Sequence, residues 1–335
     1  MIEIDGSYLE GGGQILRTSL SLAAITGKSF RIKNIRMNRE KPGLATQHLE
    51  ATKTLAILCD TECKAEKRDT FLEFIPKEIS KKQEIQIGIP TAGSIALLLS
   101  TILPVAYSLK NQIKLQIKGG GTWNKFAPSV LYIKKVILPL LSKTGYTAEL
   151  KIKRDGFFPL GGAEVELLLN PWKNRKPLFF EEHKINKVYI DSYSTNSLKS
   201  RRVAERQLES AVDVLKSLNC GIEKNIEYIN AESSGSGILL SSLPTILGSD
   251  VPGEIGKPAE KIGKEAALNF LKEIEKKAAV DKYASDQLMI YLALVGGKIK
   301  TSEITNHAKT NAYTIEKFLD VKFNIKDNYI ECQKL

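Results

Sequence analysis

Glu10-Gly11-Gly12-Gly13-Gln14-Ile15-Leu16-Arg17 lies between a short strand and a helix, and the rest of the chain can be laid out from it. Upstream, Met1 to Asp5 alternates polar and apolar side chains, the period of a half-buried strand. Downstream, Ile15, Leu16, Ser19, Leu20, Leu22 and Ala23 fall on one side of a helix that stops at Thr26-Gly27, and Phe30 to Ile35 is the next strand. A second helix is expected from Leu44 to Leu58, entered through Lys41-Pro42-Gly43. Strands at Phe71 to Ile75 and Glu84 to Ile89 close the unit, joined by the lysine-rich Lys77 to Lys82.

That order recurs. Gly93-Ser94-Ile95 opens an apolar helix as Gly13-Gln14-Ile15 does, at an offset of 80, and Gln112 to Lys118 matches the strand Phe30 to Ile35, at an offset of 82. Ser129 to Leu141 takes the place of the second helix. Near the C-terminus Asp286-Gln287-Leu288 starts a helix, Lys298 to Thr301 is a strand, Ala312 to Phe318 a helix, and Val321 to Ile325 with Tyr329 to Cys332 a closing hairpin. Three copies of a two-helix, four-strand unit account for this pattern. The third copy is split by a segment out of register, introduced by the Pro-flanked Asn170 to Pro177. The segment holds a strand at Lys187 to Ser192, an amphipathic helix at Ser200 to Leu218, and a hairpin of Ile226 to Asn230 and Gly237 to Ser241 turning at Ser233 to Ser236. The expected class is mixed α/β (α+β). Residues 1–180 and 278–335 form a large domain of three repeats, and 181–277 a smaller inserted α/β domain.

Composition agrees with a folded globular chain. Its 335 residues are 42% apolar and 26% charged, which excludes collagen, a coiled coil and wholesale disorder. A chain of this length buries about three quarters of its unfolded surface and needs no structural metal. The formal net charge is +11, a surplus that favours polyanionic partners through long-range attraction. Cys59, Cys63, Cys220 and Cys332 have no paired ligand spacing, so a zinc site is not expected. Met1-Ile2-Glu3-Ile4-Asp5 carries charge where a signal peptide is apolar, and no apolar run reaches the ~18 residues of a membrane span. A cytoplasmic setting away from the membrane follows as the expectation.

Several residues are chemically suggestive taken alone. A glycine turn feeding a helix presents free N–H groups to an anion, but no Lys-Ser/Thr follows Gly11-Gly12-Gly13, so this is not a Walker A loop. Arg36, Arg39 and Lys41 crowd one short connector ahead of Gln47-His48, well placed for phosphate. Arg17 interrupts an otherwise apolar helix, where an unpaired cation is costly. His307 lies in the polar stretch Asn306 to Asn311, read as a loop between strand and helix. An imidazole is neutral often enough at pH 7 to serve as nucleophile or base.

Together, Glu10 to Arg17, Arg36 to Leu44 with Gln47-His48-Leu49, Thr91 to Ser94, Gly119 to Thr122, Arg154 to Gly162, Tyr283 to Leu288 and His307 to Asn311 run in order over nearly the whole chain. In that combination the chain resembles the RNA 3′-terminal phosphate cyclases. The resemblance implies three repeats like the C-terminal domain of bacterial translation initiation factor 3, plus an inserted α/β domain. It also implies ATP and Mg²⁺ or Mn²⁺ as cofactors and RNA 3′-phosphate ends as partners. The chemistry it implies has three steps. A histidine is adenylated with loss of pyrophosphate, the AMP passes to the RNA 3′-phosphate to give RNA(3′)pp(5′)A, and the 2′-hydroxyl then closes a 2′,3′-cyclic phosphate. Association into a homodimer is left open.

Carried over by position, the resemblance makes His307 the adenylated residue. It places Arg17, Arg36 and Arg39 around the phosphates, Gln47 and His48 beside the RNA phosphate, and Glu10 near the metal. Tyr283, Ala284, Ser285, Asp286 and Gln287 fall in the nucleotide segment. Two positions depart from the family pattern: Ser100 stands where Gln is frequent as a nucleotide contact, and Asp155 stands where Arg-His-Gly is usual, in a segment read as a structural turn. The competing readings are a non-catalytic cyclase-like factor for RNA processing or ribosome biogenesis, which would lack the histidine and much of the basic pocket, and a carboxyvinyl-transfer enzyme of the shikimate route, which would need different substrate cations.

Overall fold

The expected alternation of short strands and apolar helices is what a computed structural model of the chain, describing residues 1–335, contains. Strand β1 (Ile2–Asp5) pairs parallel with β2 (Phe30–Lys33) through the crossover helix α1 (Gly13–Thr26), whose Ile15, Leu16 and Leu20 face inward. Helix α1 ends at Gly27, which takes φ +69° and returns its N–H to Ala23 O, a conformation favouring glycine. After α2 (Thr46–Leu58), β3 (Leu72–Phe74) joins β2 antiparallel and the first sheet is complete with three strands. The next strand, β4 (Glu84–Ser94), expected in this unit, instead pairs with β5 (Ile113–Gly121) in a second sheet. The place a fourth strand would take beside β3 is held by side chains: Thr61 Oγ1 donates to Ile75 O at 2.7 Å and Cys63 Sγ reaches Glu73 O at 3.5 Å.

The second sheet has four strands and two helical segments. Between β4 and β5 runs α3 (Ile95–Ile102), capped by Ser94 Oγ and tightened into a 3₁₀ turn at Leu103–Tyr107, where Pro104 lacks a donor. After β5 come α4 (Val130–Tyr132), a π turn at Ile133–Ile137 and α5 (Leu138–Ser142). The widening immediately precedes Pro139, whose ring would clash with the carbonyl four residues back. Then β6 (Ala148–Arg154) and β7 (Glu164–Leu169) complete the order β4-β5-β7-β6. In Asn170 to Pro177, read from its prolines as a boundary, Lys173 to Pro177 are exposed and Trp172 alone enters the core. Trp172 is buried against Tyr107, Tyr146 and Tyr291, and its Nε1 donates to Thr144 O at 3.0 Å. The chain stays in this body through β8 (Leu178–Phe180).

A separate four-stranded sheet follows, built from β9 (Ile185–Thr195), α6 (Val203–Leu215), β10 (Gly221–Ile229), β11 (Ser236–Pro244), β12 (Gly248–Pro252) and α7 (Ala259–Glu275), in the order β10-β9-β11-β12. The expected hairpin of β10 with β11 is not formed. Strand β9 lies between them, parallel to β10 and antiparallel to β11, and the hairpin is β11–β12. Burial explains the choice: Ile238, Leu239 and Leu240 of β11 need a central position, whereas the charged, exposed β10 suits an edge. The apolar residues here, Val188, Ile190, Leu240 and Phe270 among them, form a small core distinct from the large one.

The chain returns through α8 (Lys282–Val295), β13 (Gly297–Lys300), α9 (Asn306–Phe318), β14 (Val321–Lys326) and β15 (Tyr329–Lys334). β13 pairs with β8, giving β14-β15-β13-β8, the strand order of the second sheet read from its other end. Both helices start earlier than expected. Asp281, not Asp286, caps α8 by accepting from the Tyr283 and Ala284 N–H groups, so Asp286 lies one turn inside. Thr305 caps α9 by accepting from Ala308 N, so His307 belongs to a helix and not to a loop. The chain is thus mixed α/β, with nine helices and four small sheets, and no helix is long and apolar enough to cross a membrane.

Candidate active site

The N-terminus of α1 is open to an anion. Gly12, its N-cap, offers no side-chain acceptor, and no acidic residue occupies the first turn, so the leading N–H groups and the positive end of the helix dipole are uncompensated. Side chains crowd in where Gly12 and Gly13 have none. A Cβ on Gly12 would sit 3.2 Å from Arg39 Nη2, and one on Gly13 would overlap His48 Nε2.

His48 is 2% exposed, and its Nδ1 accepts the Ala45 N–H at 3.2 Å. Burial, then Arg17 and Arg36, holds this imidazole well below the ordinary histidine range, so it is neutral with its proton on Nε2. That Nε2–H lies 3.4 Å from Arg17 Nη1, itself a donor. Two donors facing each other form no hydrogen bond; both point to a missing acceptor. Arg17 makes no ion pair, and burial, followed by Arg36, pushes its guanidinium down to about 10. Arg36 is less free, because its Nη1 donates to Lys41 O at 2.9 Å and Gly43 O at 2.7 Å, stapling its own loop.

On the other side of the opening, Glu10 Oε2 lies 3.5 Å from Arg39 Nη2 and 3.4 Å from His307 Nε2. Burial lowers the pKa of His307; Arg17 and Arg39 lower it further, and Glu10 opposes them. With the ring neutral, the Glu10 contact is not an ion pair. Behind it, buried Asp286 accepts from Thr305 Oγ1 at 2.7 Å and is pushed up to about 7, chiefly by burial. Next to it on α8, Gln287 Oε1 is 3.0 Å from Ser100 Oγ. Gln47 Oε1 accepts from Ser94 N at 3.4 Å, tying the start of α2 to the cap of α3. Tyr283 is 54% exposed, whereas Ala284 and Ser285 are buried in the first turn of α8, with Ser285 Oγ donating to Lys282 O.

The RNA 3′-terminal phosphate cyclase family matches residues 8–325. The chain is 43% identical to an RNA 3′-terminal phosphate cyclase of Pyrococcus furiosus over 330 residues, covering 97% of this chain and 95% of that one. It is 44% identical to the protein of that name from Methanococcoides burtonii over 331 residues, 97% of each. For one from Saccharolobus islandicus the identity is 42%, over 97% of this chain and 96% of the relative. The chain belongs to the RNA 3′-terminal phosphate cyclase family. Its match runs through both bodies of the fold, so every group described above lies within the family's span.

Against the cyclase pattern, the two departures have local explanations. Ser100 spends its hydroxyl inside the protein, on Gln287 and on Ala96 O at 2.9 Å. Asp155 accepts from Thr122 Oγ1 at 2.5 Å beneath the glycine-rich Gly119–Gly121, closing a buried turn. Two residues beside the site, Thr18 and Thr305, escaped the sequence reading. Thr305 carried a usable signal, a threonine three residues ahead of Ala308, the pattern of a helix cap. Thr18 carried none, because its partner is 293 positions away.

Proposed function

We propose that this cyclase-family chain converts an RNA 3′-terminal phosphate to a 2′,3′-cyclic phosphodiester at the expense of ATP. The observation that carries the reading is a neutral His307 across from Arg39 and Arg17 at the open end of α1. A lone pair on the imidazole attacks the α-phosphorus of ATP, and the bond to pyrophosphate breaks. An oxygen of the RNA 3′-phosphate then displaces the imidazole from the AMP. Finally the 2′-hydroxyl attacks the activated phosphorus, loses its proton and expels AMP. Ring closure is intramolecular and asks mainly for orientation.

Within this reading, Arg17, Arg39 and the His48 Nε2–H supply convergent donors for phosphate oxygens, where charge stabilisation dominates phosphoryl transfer. His48 serves as a donor and not as a base, since its only lone pair is spent on Ala45. Arg36 supports the loop and lends its charge, Gln47 stands on the RNA side, and Tyr283, Asp286 and Gln287 on the nucleotide side. No three His, Cys, Asp or Glu side chains come together to hold a metal, so Mg²⁺ or Mn²⁺ would share Glu10 with phosphate oxygens and water, the usual habit of Mg²⁺. Bound there, the ion would neutralise charge on the triphosphate. We also read residues 1–180 and 278–335 as three repeats and 181–277 as an insert, supported by the shared strand order and the two separate cores.

The test is incubation with α-labelled ATP and Mg²⁺. Acid-labile label on the protein, lost in His307→Ala and chased by an RNA 3′-phosphate into a cyclic end, is the expected result. Absence of label with every divalent ion tried overturns the reading.

A further inference from the structure

Four hydroxyls line α1 beyond its first turn, and three meet backbone carbonyls. Ser19 and Thr26 donate to those of Ile15 and Leu22, four residues back, and Ser21 Oγ lies 3.0 Å from Arg17 O and 2.7 Å from Thr101 O. Thr18 does not. Its Oγ1 reaches out of the helix to Asn311 Oδ1 at 2.9 Å, on α9. Asn311 is 4% exposed and donates through Nδ2 to the Asp286 backbone carbonyl on α8 at 2.7 Å. A carbonyl only accepts, so the amide orientation is settled, and Thr18 must be the donor on the other side. Three helices therefore meet at one side-chain amide.

We propose that Asn311, held by Thr18, is a positioning residue for His307. Asn311 follows His307 by four positions and so lies one turn along the same side of α9. Thr18 follows Arg17 directly on α1. The bond between them ties the helix carrying the nucleophile to the helix carrying a phosphate-facing cation. Ahead of His307, Thr305 Oγ1 bridges Asp286 Oδ1 and Ala308 N, so the same turn is held at both ends. Neither Thr18 nor Asn311 contacts Glu10, Arg39 or His48 by any hydrogen bond. Their effect on the reaction is through the placement of the imidazole, where an error of about 1 Å costs on the order of 100-fold.

The proposal rests on the cyclase reading, and single-turnover formation of the protein–AMP adduct at varied ATP tests the two separately. Thr18→Val, nearly isosteric but without a donor, is expected to lower the adenylation rate at saturating ATP by ~10- to 100-fold with KM for ATP unchanged. Thr18→Ser keeps the donor and is expected to stay within about twofold of the unsubstituted protein, at matched melting temperature. Asn311→Ala should resemble Thr18→Val; should it fail to fold, the Thr18 pair carries the test. If Thr18→Val reacts like Thr18→Ser, or loses rate only in proportion to a raised KM, the positioning role is overturned. If the unsubstituted protein itself forms no adduct, the cyclase reading falls instead.

Discussion

At His307 charges of both signs act on one ring. Burial and the cations Arg17 and Arg39 favour the neutral imidazole, while Glu10, 3.4 Å away, favours the charged one. Adenylation needs the neutral form, so its rate should hold as pH falls through the ordinary histidine range and drop only below it. The neighbours make opposite predictions. Glu10→Gln removes the influence that raises the pKa and should move the acid limb of the pH–rate profile to lower pH. Arg39→Gln removes one that lowers it and should move the limb to higher pH. Single-turnover label transfer across pH 4 to 8 measures both, and limbs that move together in one direction would contradict this account. Arg17 illustrates how a residue speaks in sequence: a cation on an apolar helix is already anomalous, and the fold sets it 3.4 Å from His48 Nε2, a second donor, and not beside a carboxylate.

Helix α1 begins where two glycines admit side chains from other elements, and the two are not equivalent. At Gly13 an added methyl overlaps the His48 ring, which is buried and fixed by Ala45; at Gly12 it meets the far end of Arg39 at 3.2 Å and touches His307 Cε1 at 3.8 Å, an ordinary contact distance. Gly13→Ala is therefore expected to destabilise by about 1–3 kcal/mol through overpacking and to abolish adduct formation. Gly12→Ala should cost under about 1 kcal/mol and slow the reaction modestly, since Gly12 already has an extended backbone that alanine accepts. Thermal unfolding with the label assay checks the pair, and equal effects would refute the distinction. Helix starts were the less legible part of the sequence. The sequence pattern places the start of α8 at Asp286, a turn later than its cap Asp281, and the apolar run that identifies α9 begins well after Thr305. Which carboxylate accepts the free N–H groups depends on where the preceding loop delivers the chain.

Across the whole molecule, the helical segment after β5 is joined to the β9–β12 sheet by polar links. Lys135 Nζ meets Asp191 Oδ1 at 2.6 Å, Ser129 N donates to Asp250 Oδ2 at 2.5 Å, and Asp281 joins Tyr132 OH at 2.6 Å to Gly248 N at 2.9 Å. The Asp191 side chain is only 3% exposed, so Lys135→Ala strands a buried carboxylate and should destabilise by about 1–3 kcal/mol. Hydrogen exchange should speed first in β9 and β10, and the same change should cost less in an Asp191→Asn background, the signature of a coupled pair. Equal costs in the two backgrounds would dissolve the link. Periodicity along the chain determined the mixed α/β class and most strands and helices, because those follow from neighbours within a few positions. Tertiary structure alone decided that β4 belongs to the second sheet, that β9 separates β10 from β11, and that Thr18, Glu10 and Arg17 converge on the turn bearing His307. Strand neighbours and convergent side chains are chosen by burial and hydrogen-bond satisfaction between segments up to 293 positions apart, and no local pattern records that choice.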